Sequence, residues 1–443
     1  MYSKKYLSFT PLIKSLSSLV KKIPDCRKTG SIIYSLHDIV MSAFACMYMQ
    51  SPSLLRFQER LKKRSNRNNL ETLFAVRKTP KEYALRETLT SISPQYFKPI
   101  FRTYFGRLQR NNYLKEFRFI DNKYLLSLDG SDYFSSKKVH CSKCLQQPHQ
   151  DGSITYSHKV VQGAIVKPGI KQILPLMPEE VKNSDGSKKQ DCEVNAGKRL
   201  IPQIRKEYPK LSIIYLADSI YATSKIINDL TENNDDYIFR VKAGDHKILY
   251  NNLETATLEK LEKTDKKGNR IIYKWINGIE LNKSSDIRTN AMQLFIVDPR
   301  KKGKEKSKRI GVWITNLDIN EENIELLVKG ARSRWKIENE CFNTLKNQGY
   351  CMEHNYGHDD GELSMNFYIM ILLSFFIHQI LEFTDRLHKK ARTLCGPLYE
   401  FWEEARGIFR HFIVDSWEEL LQRIIDHEED LWTPGNDPPI LQS

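Results

Sequence analysis

Three short runs of nearly unbroken apolar residues, Tyr124–Leu128, Val160–Val166 and Ile213–Ala217, constrain this chain most. Segments of that length and character are buried on both faces, as the inner strands of a covered sheet are. Between the second and third, Asp191–Glu207 spaces its apolar positions as an amphipathic helix. Strands joined through a helical crossover predict an α/β core. Two of the runs end on an acid followed by small residues, Leu128-Asp-Gly-Ser131 and Leu216-Ala-Asp-Ser219. Strand ends of this kind are where α/β sheets place ligands. Taken singly, Asp129 or Asp218 reads equally well as a turn residue or a helix cap.

A third source of acid changes that balance. The stretch Arg332–Lys346 reads as a helix that sets Glu338 and Glu340 among arginines and lysines. The two glutamates lie about 200° apart around an α-helix, so they cannot both face one ligand. Arg334 stands four residues before Glu338 and Lys346 two turns after it, which aligns cation, carboxylate and cation on one face and favours Glu338, with Glu340 as second choice. Alone, that row is an ordinary ladder of ion pairs on a solvated helix. With Asp129 and Asp218 it supplies three carboxylates able to share two divalent cations, the requirement of two-metal phosphodiester chemistry.

Charge points to the same class of partner. The 443 residues carry a net +15, with an isoelectric point near 9.2. Residues 397–443 hold eleven acids against three bases, a net of −8 that leaves +23 on the remainder. A basic body gains free energy by displacing counterions from a polyanion, which predicts DNA as partner. Arg60, Lys62, Lys63 and Arg64 fall in a dense basic segment, 56–78, suited to a DNA backbone and otherwise a solvated face. No Gly-rich phosphate loop and no Gly-x-Ser-x-Gly elbow occurs, so nucleotide-driven work and acyl transfer are not expected.

The spacing predicts helices through residues 1–116, including a run over 35–47 and starts at Ser51-Pro-Ser and Thr79-Pro-Lys-Glu82. The core follows at 117–236. A β-rich insertion of alternating segments occupies 237–318, opening at Tyr237–Lys242, with charged turns at 263–270 and 300–309. Asn320-Glu-Glu starts the helix leading to Arg334, the core resumes over 319–390, and an acidic helical segment occupies 391–443. The apolar stretch Met365–Phe383 approaches membrane-spanning length, but Asn366, His378 and Gln379 interrupt it, and a buried core helix is expected rather than a membrane partner.

Eight cysteines at irregular spacing, and an N-terminus without the apolar run of a signal peptide, suit a reducing cytoplasm. Cys141-Ser-Lys-Cys144, with His149 and His158 following, has the donor types of a structural zinc site and otherwise reads as a loop of reduced thiols. Cys192 is a further donor that folding could bring in. His354 and His358 have a metal-compatible spacing with Asp359, Asp360 and Glu362 following, and read more readily as a turn around Asn355 and Gly357.

Arg334-Trp-Lys-Ile-Glu338 with Lys346, preceded by Leu-Asp-Gly-Ser and Leu-Ala-Asp and by a long β-rich insertion, resembles the bacterial insertion-sequence transposases of the DDE class. The resemblance runs to about residue 385 and implies an RNase H-like core. It also implies two Mg²⁺ or Mn²⁺ ions on Asp129, Asp218 and Glu338, with Arg334, Lys336 and Lys346 on DNA. Ala331 stands where the family's Tyr-Arg-Glu-Lys signature has Tyr, and Lys346 falls one residue late. The implied activity is cleavage and strand transfer at terminal inverted repeats by a homodimer acting on double-stranded DNA, in a bacterial cytoplasm and on its nucleoid. A nuclease of the same fold that does not join ends, and a non-catalytic DNA-binding descendant, are the alternatives.

Overall fold

The structure, a computed structural model, describes residues 6–28, 30, 32–182, 190–282, 285–301 and 307–429. Part of the charged turn expected at 300–309 and the end of the acidic segment from 430 onward lie outside the described residues. Two compact units divide the chain. One comprises 114–132 and 158–342, the other 1–113, 133–157 and 343–443.

The first unit is built on a mixed sheet. Its strands are β1 (Tyr124–Ser136), β3 (Ile154–Val166), β4 (Leu174–Pro175), β5 (Glu179–Val181), β6 (Ile213–Ala217), β7 (Asp236–Val241), β8 (Glu259–Thr264), β9 (Arg270–Asn282), β10 (Ser285–Val297) and β11 (Ser307–Thr315). The label β2 belongs to Leu145–Pro148, which pairs with the opening residues of β3 in the second unit. From β3 the order is β3-β1-β6-β7-β11-β10-β9-β8. β1, β6 and β7 are mutually parallel, and β8 to β11 form an antiparallel meander. All three apolar runs of the sequence are strands here, and every residue of β6 is buried. The expected crossover helix is Glu193–Glu207, its buried face Ala196, Gly197, Leu200, Ile201 and Ile204. Helix Ser224–Glu232, capped by the Thr223 hydroxyl, returns the chain to β7. This α/β core, extended by a β-rich insertion, is consistent with an RNase H-like fold.

Two local readings differ from the expectation. Tyr237–Val241, expected to open the insertion, lies in β7 beside β6 and is core sheet; its alternation suits either place, and only the parallel pairing decides. The helix around Arg334 is not continuous. Ile324–Arg332 is α-helical, started by an Asn320 side chain that accepts from the Glu322 and Asn323 amides. The turn tightens at Ser333 and Arg334 and then widens into a π-helical turn, Ile337–Phe342. Such a turn inserts one residue and is most often met at functional sites.

The second unit is helical. Phe9–Val20, Leu36–Tyr48, Leu54–Leu61, Arg64–Phe74, Glu82–Thr90 and Lys98–Arg110 pack with Leu363–Thr384, Arg386–Leu394, Leu398–His411 and Trp417–Glu429. Helices from both ends of the chain therefore share one core. Its centre is aromatic: Tyr48 lies edge-on to Phe9, Phe74, Trp402 and Trp417 at centroid distances of 5.3 to 5.8 Å. Leu363–Thr384, the apolar stretch, is the buried helix of this core. The side-chain nitrogen of its Asn366 donates to the carbonyls of Leu89 and Ile92, which pairs a buried donor in an apolar setting.

Candidate active site

Parallel pairing brings the two aspartates together. Ser127 of β1 stands opposite Leu216 of β6, so two residues further along each strand Asp129 and Asp218 emerge at the same edge of the sheet. This is the carboxyl end of parallel strands, where the pairing ends and backbone and side chains turn outward. The segment bearing the glutamates is tied to the same edge: the buried Ser127 hydroxyl donates to the Arg334 carbonyl.

Arg334 connects the acids. Its side chain is only 7% exposed, with one guanidinium nitrogen 2.7 Å from Glu338 Oε1 and another 3.6 Å from Asp129 Oδ2. The i,i+4 relation of Arg334 and Glu338 read from the sequence is thus present, and its arginine also reaches a residue two hundred positions away. Glu338 is half-exposed. Glu340 is partly buried on another side of the π turn, and no ion pair joins it to these acids among the described residues.

A fourth acid shares the site. Glu193, first residue of the crossover helix, accepts a hydrogen bond from the Tyr221 hydroxyl at 3.3 Å and lies 4.0 Å from the Lys159 ammonium. Gly130 makes room for it, because a Cβ there would come within 2.2 Å of the Glu193 carboxylate. Gly197 likewise admits the Tyr221 ring, 2.4 Å from where its Cβ would be. Asp218 receives Lys242 Nζ at 2.9 Å on one oxygen. Its other oxygen, Oδ1, is buried and has no hydrogen-bond partner among the described residues.

The electrostatics follow from this crowding. Burial raises Asp129 to about 7; the Arg334 charge opposes the rise, while Glu338 and Glu193 add to it. Burial also raises Glu193, against Lys159 and the Tyr221 hydroxyl. Asp218 shares the burial penalty, yet the hydrogen bond from Lys242, the Ser219 amide and the charges of Lys242 and Arg334 hold it below the ordinary carboxylate value. One edge of the sheet thus holds an aspartate that prefers a proton beside one that stays ionised.

An orphaned carboxylate oxygen and mutually repelling buried acids are the donor set that a hard divalent cation satisfies, since oxygen ligands and concentrated negative charge are what such ions select. Asp129, Asp218 and Glu338 offer oxygen donors of the kind such an ion takes, and Glu193 adds its charge to Asp129. Sequence reasoning missed Glu193, Tyr221, Lys159 and Lys242. Only the start of a helix after Gln190-Asp-Cys marked Glu193 as different from any surface glutamate.

The expected DNA-contacting residues are dispersed. Arg334 is buried among the acids, and Lys336 is partly buried in the turn that follows. Lys346, in the helical unit, pairs with Glu353 at 2.7 Å. In that unit Lys62 and Arg64 line an open groove with Arg77, Lys78 and Lys81, while Lys63 is exposed at the adjoining helix start. Arg60 lines a small cleft with Arg406 and Arg410, and burial together with the like charges of Arg410 and Arg56 depresses its pKa. Of the histidines expected near Cys141 and Cys144, His149 hydrogen-bonds Thr155 at 2.7 Å and His158 is buried with Nδ1 3.7 Å from Glu180.

Residues 187–376 match the family described as Transposase DDE domain. That segment contains Asp218, Glu338 and the meander, and it begins beyond Asp129. No curated protein matches the chain. Among solved structures, a cryo-EM structure of the piggyBac transposase synaptic complex with hairpin DNA is matched over 97% of this chain and 83% of that one, at 11% identity and a TM-score of 0.41. Over 187–376, then, this chain is similar to the DDE domain of transposases.

Proposed function

We propose that this protein is a DNA transposase of the DDE class, encoded by a bacterial insertion sequence, that binds the terminal inverted repeats and cuts and joins DNA strands there. The observation carrying this reading is the meeting of Asp129, Asp218 and the Arg334-linked Glu338 at one sheet edge. Asp129, Asp218 and Glu338 hold two Mg²⁺ or Mn²⁺ ions. When bound, the ions make water, and later a freed 3′-hydroxyl, nucleophilic and neutralise charge on the phosphate under attack.

The chain's own residues do the rest. Asp218, kept ionised by Lys242, offers an open oxygen from the outset. Asp129 would serve as a ligand in its ionised form. Arg334 neutralises Asp129 and Glu338 and would be a donor for a strand phosphate. Glu193, braced by Tyr221, adds to the negative field at Asp129. Double-stranded DNA is the partner, held by the basic groove of the helical unit and by Lys346, and a homodimer brings two ends together in the cytoplasm on the nucleoid.

The test incubates the purified full chain with Mg²⁺ or Mn²⁺ and DNA spanning the ends of its own gene. Joined products are expected. Cleavage without joining would leave a nuclease, and retention of end DNA without cleavage would remove the enzyme reading altogether.

A further inference from the structure

The Cys141-Ser-Lys-Cys144 loop does not stand alone. It lies in the helical unit against the segment 357–362. The Ser142 amide donates to Asp360 at 2.7 Å, and Lys143 Nζ reaches the Gly361 carbonyl at 3.0 Å and Glu362 at 2.9 Å. These contacts aim His358 at the two thiols. The sulfurs are 3.8 Å apart, Cys144 Sγ is 3.5 Å from His358 Nε2, and the three donor atoms lie within 4.8 Å of one another. His358, read from the sequence as part of a turn, thus joins a donor group that only folding assembles, more than two hundred residues from the cysteines.

Those distances identify the chemistry. With zinc bonds of about 2.3 Å to sulfur and 2.0–2.1 Å to nitrogen, tetrahedral angles separate two sulfurs by about 3.8 Å and a sulfur from a nitrogen by about 3.6 Å. Both spacings are those found. A disulfide needs about 2.05 Å, so the pair is reduced and too far apart to be bonded. The Cys141 amide points at Cys144 Sγ at 3.4 Å, a contact that suits a thiolate. The Phe134 ring lies against His358 with centroids 4.2 Å apart and the two planes tilted by 30°.

We infer that Cys141, Cys144 and His358, all three in the helical unit, bind a structural zinc ion. His149, held by Thr155, takes no part. The ion would clamp the β2–β3 hairpin onto the loop that leads into helix Leu363–Thr384. The donors are soft where those of the acidic site are hard, so the two sites select different metals.

The experiment measures metal in the full chain by elemental analysis and replaces it with Co²⁺. About one zinc per chain is expected. The cobalt form should show a thiolate-to-metal charge-transfer band and the intense visible bands of a tetrahedral centre. Cys144→Ser and His358→Ala should bind zinc at least roughly tenfold more weakly in competition with a chromophoric chelator. His149→Ala and Asp129→Asn should keep it. A cobalt spectrum without the thiolate band, or undiminished zinc affinity in both ligand variants, would overturn the site. The spectrum is read on the unaltered protein, so a variant that fails to fold does not decide the matter. Loss of the zinc proposal leaves the transposase reading intact, and the reverse holds as well.

Discussion

Asp129 is the most informative side chain of the acidic site because its proton reports on its neighbours. Its folded pKa of about 7 lies above the value for an exposed aspartate. Between those two values the folded chain keeps a proton that the unfolded chain has lost. The stabilisation it brings is therefore complete at low pH and disappears as pH rises to about 7. Asn at this position never ionises. In chelator, Asp129→Asn should gain thermal stability relative to wild type as pH goes from 5 to 8, by several degrees in melting scans; a pH-independent difference would refute the raised pKa. The same variant should lose cleavage by roughly a thousandfold or more, since it removes a metal ligand, while gel shifts show end DNA still bound. Asp129 and Asp218 were legible in the sequence because each closes a short apolar run, and strand ends are visible locally. Glu193 was not, because a helix start after Gln190-Asp-Cys is its one local mark, and His358 showed only a spacing to His354, since its thiol neighbours lie more than two hundred residues away.

At the scale of elements, the π turn Ile337–Phe342 sets where Glu338 points. A regular α-helix was expected there, since Arg334 and Glu338 satisfy i,i+4 spacing in both forms and the extra residue leaves no mark on the apolar pattern. Removing the exposed Asn339 should restore α-helical spacing, keep the fold and rotate the residues after it by about 100°. Strand cleavage should fall at least tenfold with a melting temperature within a few degrees of wild type. Equal activity would mean the widened turn has no part in the site.

Elsewhere an element boundary rests on one amide. Asn69, fully buried, donates to the carbonyls of Phe409 and Phe412 and accepts from the Val414 amide, joining helix Arg64–Phe74 to the end of Leu398–His411. Asn69→Ala leaves three backbone groups without their partner and should cost about 2–4 kcal/mol in urea unfolding. A loss under about 0.5 kcal/mol would show that water replaces the side chain.

For the whole molecule, the charge imbalance is the property that reaches furthest. The groove lined by Lys62, Arg64, Arg77, Lys78 and Lys81 belongs to the helical unit and is the DNA path of the proposed function. Replacing Lys62, Arg64 and Lys78 with Glu should weaken DNA binding at all sequences alike and flatten the log–log salt dependence by about three contacts' worth. An unchanged salt slope would exclude the groove as a DNA path. Net charge was legible as a count, but its placement needed the fold.

The helices at the two ends of the chain complete one another's core, with Phe9 stacked on Trp417 at 4.7 Å. During translation helix Phe9–Val20 is made about four hundred residues before Trp417–Glu429, and its apolar face stays bare until that partner emerges. A premature stop ahead of Trp417 therefore disarms a helix already made, and such fragments should be cleared by proteases rather than survive as DNA-bound competitors.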